Sequence, residues 1–417
     1  MQMMVSPRDE ILAQWQNPGD IFSLLLLVGA DVVQNAIANL VGVRFKVFRT
    51  DLAIPVTPAI FSFGWVTYAF TSLAAAFGDH RLMPKPDTEI QVVNCETGYT
   101  RTNNSWVLGR LLRHYESSVE KAQLIENPPA NSTGKVSLRI EIFSAKKVND
   151  LGPHPSATWW LSWVFIVAHQ IFAAIPWVLW GYWPIFMITL CGTLLAILTA
   201  SIPQWIAEKW SGATLSAQKV KPIALTRGNG HQYVMIILSH HGSWDLETMA
   251  SNRLNSQPST KYFLIPIALF WVVLLLTVTG LKQYTWYLVV IGAWGSVWQT
   301  YLGAKSSTAA HFNIDLDPWQ ERETITGYQL TFAAKKSLKE SWKTYKECHA
   351  KQEYDNKIEE RDVRDVMGTL MELEKYWPKA GASLLPIFFP GGLDYEPASL
   401  FFEREKQFWR YAKGQGQ

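Results

Sequence analysis

Residues 159–180 read WWLSWVFIVAHQIFAAIPWVLW, without a single Asp, Glu, Lys or Arg. A helix needs about 20 predominantly apolar residues to cross roughly 30 Å of hydrocarbon, and this run meets that length. Its reading decides the fold class: it is a membrane span. Residues 184–202 (PIFMITLCGTLLAILTASI), 262–281 (YFLIPIALFWVVLLLTVTGL, with Lys261 just before it) and 286–304 (WYLVVIGAWGSVWQTYLGA) are also uncharged and of that order of length. Very short connections join the four into two helical hairpins. Uncharged residues 52–78 supply a fifth span. Residues 21–43, IFSLLLLVGADVVQNAIANLVGV, supply a sixth, in which Asp31, Asn35 and Asn39 recur every four residues and share one helix face. Turned into a bundle or a wet cavity, that face offsets the roughly 2.5–3.5 kcal/mol that a carboxylate costs at mid-bilayer. A helix lying on the membrane is the other reading of 21–43.

Composition agrees. Charged residues make up 18% of 417, against about 25% for an ordinary soluble domain. The net charge of +3 is too small to argue for nucleic-acid binding. Cys95, Cys191 and Cys348 lie far apart without CxxC spacing, which speaks against a disulfide framework or a structural zinc site. No metal or cofactor is expected. Tryptophan is in excess, with 20 residues, many of them flanking the apolar runs. Indole rings favour the headgroup boundary, so these read as an aromatic belt; a Trp-lined pocket for a cationic or flat ligand is the alternative.

The polar stretches are substantial. Residues 88–95 and 136–143 read as strands, and 223–238 as a hairpin turning at Asn229-Gly230. Three or four such strands make one small sheet. Val363, Val366, Leu370, Leu373 and Trp377 form an apolar helical stripe stopped by Pro378 and Gly381; residues 383–397 are too irregular to span. Ser6-Pro7 looks like a helix start, and the first 20 residues lack a signal-peptide pattern. The expected fold is a predominantly α-helical polytopic membrane protein of about six spans, with a small β-containing extramembrane subdomain and a helical C-terminal region. Its segments are 1–78 (first two spans), 79–157 (loop with strands), 158–202 (hairpin), 203–261 (loop with β-hairpin), 262–304 (hairpin) and 305–417 (charged, helical).

Basic residues near the long polar stretches outnumber those near the short connections, which places the large loops and both termini in the cytoplasm. The sequons at Asn103 and Asn131 would argue the reverse if they were used.

The stretch ILSHHGSWDLE (237–247) leaves four residues between His240 and Asp245. This resembles the H-x4-D box of glycerolipid acyltransferases, where a His–Asp pair activates an acceptor hydroxyl. IFFPGG (387–392) is similar to that family's phosphate-binding block, but the Glu, Thr and Arg of that block are absent here. The plainer reading is a strand end turning into a helix, with Ser243 as cap and Asp245 and Glu247 in the first turn. His169 and Gln170 lie mid-span, where an unpaired polar group costs several kcal/mol. Either they make a structural bond between helices, with Asp31 as partner, or they mark a site. Asp79, His80 and Arg81 form a charged knot after the second span. The catalytic candidates are thus Asp31, Asp79 and His169, with His240 and Asp245 for acyl transfer.

AFGDHRLMPKPD (76–87), NNSWVLGRLLR (103–113), SIPQWIAEKW (201–210), ALTRGNGHQYVMIIL (224–238) and SLLPIFFPGG (383–392) resemble phrases of a group of multi-pass membrane proteins from filamentous fungi. The likeness runs through nearly the whole chain. It implies the topology and a fungal source and carries no catalytic residues. The expected function is action on a lipophilic metabolite within the bilayer, as a cyclase or isomerase of secondary metabolism. A membrane scaffold, a transporter and an acyltransferase are the alternatives. The expected partners are the lipid bilayer, a lipophilic small molecule and proteins recruited through 305–417.

Overall fold

The computed structural model describes residues 29–46, 53–78, 81–123, 132–149, 151–216, 218–252, 260–281, 283–331, 365–392, 408–412 and 414. In chain order they form α1 (Ala30–Leu40), β1 (Arg44–Lys46), β2 (Ala53–Pro55), α2 (Gly64–Phe77), β3 (Gln91–Asn94), β4 (Thr100–Thr102), α3 (Trp106–Gln123) and β5 (Ser132–Ala145). Next come α4 (Ala157–Trp180), α5 (Pro184–Ala200), α6 (Pro203–Lys209), β6 (Lys221–Thr226), β7 (Tyr233–Ser239) and α7 (Leu246–Ser251). The last are α8 (Thr260–Thr279), α9 (Thr285–Ala304), β8 (Leu316–Pro318), β9 (Thr324–Leu330), α10 (Asp365–Tyr376) and α11 (Ala380–Phe388). The chain divides into two compact units, drawn from 1–85, 149–211 and 254–306, and from 86–148, 212–253 and 307–417.

The first unit is helical. Ser156 Oγ caps α4 by accepting Trp159 N–H at 3.2 Å, and Gly181, in the left-handed region, ends it. Pro184 then opens α5, where its missing N–H has no partner to lose. Six spans are not what the fold contains. Among the described residues, two helices are long and apolar enough to cross a membrane, Ala157–Trp180 and Tyr262–Thr279, or three if α5 and α6, bent by 43°, count as one. Helix α1 has only 11 residues, roughly 16 Å of rise. Residues 21–28 lie outside the described set. Within 52–78, α2 has 14 residues and is preceded by strand β2 and a non-helical stretch. Pro55 and Pro58 bias that stretch away from helical angles.

Residues 57–63 are buried by protein, not by lipid. Their irregular backbone is paired by side chains. Ile60 O accepts Trp65 Nε1–H at 2.8 Å and Gln299 Nε2–H at 2.9 Å, Ser62 Oγ donates to Gln299 Oε1 at 2.8 Å, and Thr57 N–H donates to Ser201 Oγ at 3.1 Å. Non-helical backbone is tolerated in an apolar interior only when its polar groups are satisfied in this way. Two glycines allow the approach: a Cβ at Gly295 of α9 would lie 2.0 Å from Phe61 O, and one at Gly192 of α5 would lie 2.5 Å from the Phe61 ring.

The second unit is mixed α/β. Its sheet has seven strands, not three or four, in the order β4-β3-β6-β7-β5-β8, with β9 also on β5. The expected β6–β7 hairpin forms, and β5 pairs with β7 in parallel. Segment 305–417 is therefore not simply helical, because β8 and β9 complete the sheet. Leu370 and Leu373 of the apolar stripe are wholly buried on the sheet with Leu138, Ile140 and Ile236; Val363 lies outside the described residues. Residues 380–388, expected to be irregular in part, form α11, whose Leu384 and Phe388 join this core. Asn103 is buried, and its amide donates to Ser105 O at 2.7 Å, which argues against a sugar there; Asn131 lies outside the described residues.

Candidate functional site

The motif ILSHHGSWDLE ends strand β7 and opens α7. His240 and Asp245 each engage another residue. Ser144 Oγ of β5 lies 2.9 Å from His240 Nε2, while Lys221 Nζ donates to Asp245 Oδ1 at 2.8 Å. Asp245, not Ser243, is the cap: its carboxylate accepts Glu247 N–H at 3.2 Å, and Ser243 Oγ donates to His240 O at 2.8 Å. Glu247 receives Lys221 Nζ at 2.9 Å, Arg101 at 2.7 Å and Asn94 Nδ2 at 3.0 Å. Burial alone would raise the Glu247 carboxyl, but these donors and the charges of Lys221 and Arg101 hold it below its ordinary value. Burial likewise pulls Lys221 down, yet hydrogen bonds to Asp245 and Glu247 leave it raised. The arrangement is an ion-pair network tying α7 to β3, β4 and β6. It pairs Asp245 with Lys221, while His240 faces Ser144.

The polar residues in the middle of α4 act as staples. Ile291 O can only accept, so His169 carries its hydrogen on Nε2 and donates to that carbonyl at 2.8 Å, joining α4 to α9. Gln170 Nε2 donates to Thr193 Oγ1 at 2.9 Å, joining α4 to α5. Asp31 is not the partner of His169; it is exposed in the first turn of α1, its main-chain oxygen accepting Asn35 Nδ2–H at 2.9 Å. Of the expected polar face, Asn39 alone is buried, donating to Leu302 O at 2.6 Å. Asp79 and His80 lie outside the described residues.

The concave feature of the helical unit lies elsewhere. A groove of about 910 Å³ runs between α5 and α8 and is closed at one edge by β2. Ile188, Cys191 and Leu195 line one wall, Ile267 and Phe270 the other, and Ile54 and Pro55 the edge. Among the described residues no Asp, Glu, His, Lys or Arg lines it, so Cys191 is the one titratable group described there, and it is exposed. The lining spans residues 263–277 of α8, roughly 21 Å of rise. Such a site can hold a long apolar chain by burial alone. The three-four spacing of Ile188, Cys191 and Leu195 is the sequence signal for it, but helix packing gives the same spacing.

Compared with known protein families, curated proteins and solved structures, the chain finds no match.

Proposed function

We propose that this is an integral membrane protein that holds a lipophilic small molecule in the groove between α5 and α8, and that it binds this molecule there without acid–base chemistry. The observation that carries the reading is the groove itself: large enough for a ligand, without a charged side chain among its described lining residues, and open on an apolar surface. That surface includes Ile171 at 66% exposure, Val178 at 78% and Leu276 at 65%. In water such faces would cost roughly 25 cal/mol per Å²; in lipid they cost nothing. Trp160 and Trp180, both exposed, stand near the two ends of α4, roughly 30 Å apart along the helix, the spacing of two headgroup belts.

Strand pairing supports a revised topology. Strand β5 precedes α4, strands β6 and β7 lie between α6 and α8, and strands β8 and β9 follow α9, yet all belong to one sheet. A hydrogen-bonded sheet cannot straddle a bilayer. The chain therefore crosses an even number of times between β5 and β6, and again between β7 and β8. If α8 crosses, α9 returns. Helix α9 has 20 residues and no charge, and half of it is buried, so it needs less apolar surface than a lipid-exposed span. The basic bias places the polar segments in the cytoplasm. A kinship with fungal multi-pass membrane proteins fits the same reading.

The test is direct. Membranes containing the full chain are washed with alkaline carbonate, the protein is solubilised, and co-purifying lipophiles are weighed by mass spectrometry. Leu195→Trp, whose indole would fill the groove, is compared with wild type after both are shown to melt alike. A common lipophile present in wild type and depleted in the variant is expected. Release by carbonate, or equal occupancy in both proteins, overturns the reading.

A further inference from the structure

The motif ILSHHGSWDLE is divided between the two faces of the sheet. Strands β6 and β7 pair with Lys221 opposite Ser239, and Lys221 holds Asp245, so that aspartate belongs to the face of Ser239. His240 is the next residue, and side chains alternate along a strand. Its ring turns to the other face, where β5, parallel to β7, sets Ser144 opposite Leu238. There Ser144 Oγ and His240 Nε2 lie 2.9 Å apart. The histidine that the motif singles out thus has a serine hydroxyl for its partner, 96 residues away in the chain.

Buried and half-buried serines elsewhere, such as Ser72, Ser117, Ser162 and Ser243, donate to main-chain carbonyls. Among the described residues, Ser144 Oγ meets only the imidazole, a group able to take up its proton. Ser144 is the penultimate residue of β5, and His240 directly follows β7. Both therefore stand at the carboxyl ends of neighbouring parallel strands, where α/β sheets place their ligands. Both are half-buried, which leaves the pair within reach of a solute. Asp317 of β8 stands opposite Ser144 and shares its face. Lys146, two residues along from Ser144, bonds Asp317 at 2.8 Å, and both side chains are more than half exposed. An ion pair so exposed is weak enough for the lysine to turn to a substrate oxygen.

We propose that Ser144 and His240 are the nucleophile and general base of a site in the second unit that hydrolyses carboxylic esters. Oγ attacks the ester carbonyl carbon while its proton passes to Nε2. Lys146 Nζ meets the oxyanion of the tetrahedral intermediate. Collapse of that intermediate breaks the bond from carbon to the alcohol oxygen. The alcohol leaves with the proton from Nε2, and the acyl group stays on Oγ. Water then attacks the acyl carbon and gives its proton to Nε2. The acid departs as that proton returns to Oγ. The sum is ester and water to acid and alcohol, with no other reactant. Asp245 takes no part, because Lys221 holds it on the opposite face.

The experiment uses the full chain in micelles of neutral detergent. A fluorophosphonate, whose phosphorus activated serines attack with loss of fluoride, is added, and the modified residue is located by mass spectrometry. The adduct is expected on Ser144. Heat-denatured protein is expected to stay unlabelled, which ties the reactivity to the folded pair even where a variant fails to fold. Turnover of p-nitrophenyl butyrate is followed by the absorbance of nitrophenolate. Variants are compared once they are shown to melt with wild type. Ser144→Ala abolishes both signals, and His240→Gln slows labelling by about a hundredfold or more. Asp245→Asn, whose amide oxygen still caps α7, leaves both unchanged. The assignment is overturned by an unmodified Ser144 in wild type, or by a labelling rate that His240→Gln does not change. Ester turnover that survives Ser144→Ala, or loss of labelling in a stable Asp245→Asn, overturns it as well.

Discussion

Replacing Gly295 by alanine would put a methyl group 2.0 Å from Phe61 O and 2.9 Å from Phe61 C. An ordinary contact needs 3.4 Å or more, so α9 or the 57–63 segment has to move by over an ångström. Neither moves freely. Gln299, one turn further along α9, bonds Ile60 O and Ser62 Oγ, and Trp65 bonds Ile60 O from the other side. Overpacking a tight site costs about 1–3 kcal/mol, and each hydrogen bond broken to relieve the clash adds about 1 kcal/mol. The expected loss is about 3–5 kcal/mol, a fall in melting temperature of roughly 10 °C. Gly192→Ala is the internal control. Its methyl would meet the Phe61 ring at 2.5 Å, and a ring yields more cheaply than a backbone, so the loss stays at about 1–3 kcal/mol. Melting followed by tryptophan fluorescence in one detergent compares the three proteins. If Gly295→Ala melts with wild type, or no lower than Gly192→Ala, the enclosed irregular segment is not packed as described.

Three further outcomes are expected. Glu247 is held below its ordinary value of 4.5, so its contribution to stability is present above that value and is lost as pH falls through the lower folded one. Lys221 is held above 10.5, so its contribution is present below 10.5 and is lost as pH rises through the higher folded value. Urea midpoints of Glu247→Gln should lie below wild type near neutrality and converge with it in acid; a constant offset down to pH 3 would contradict the network. Asp31→Asn, an exposed change in the first turn of α1, should cost at most about 1 kcal/mol and leave ligand retention unchanged, and loss of the bound lipophile would restore it as a site residue. His169→Leu removes the staple to Ile291 O and should cost about 1–2 kcal/mol, read as a lower melting temperature. An unchanged melt would show that the bond is idle.

Hydropathy identified α4 and α8 as helices long and apolar enough to span, since such a run has to be written into contiguous residues. Local chemistry marked the β6–β7 turn and the stripe of α10. It misread 52–78, because burial inside protein and burial in lipid demand the same apolar residues. Only Gln299, Ser201 and the two glycines, distant in sequence, show that protein encloses the 57–63 backbone. His240 and Asp245 kept a suggestive spacing, yet their partners Ser144 and Lys221 come from other strands. The parallel pairing of β5 with β7 across an intervening helical hairpin, and the groove walled by α5, α8 and β2, exist only in three dimensions. Each is made by surfaces that meet after the chain has folded, and a one-dimensional pattern records the surfaces without recording which of them meet.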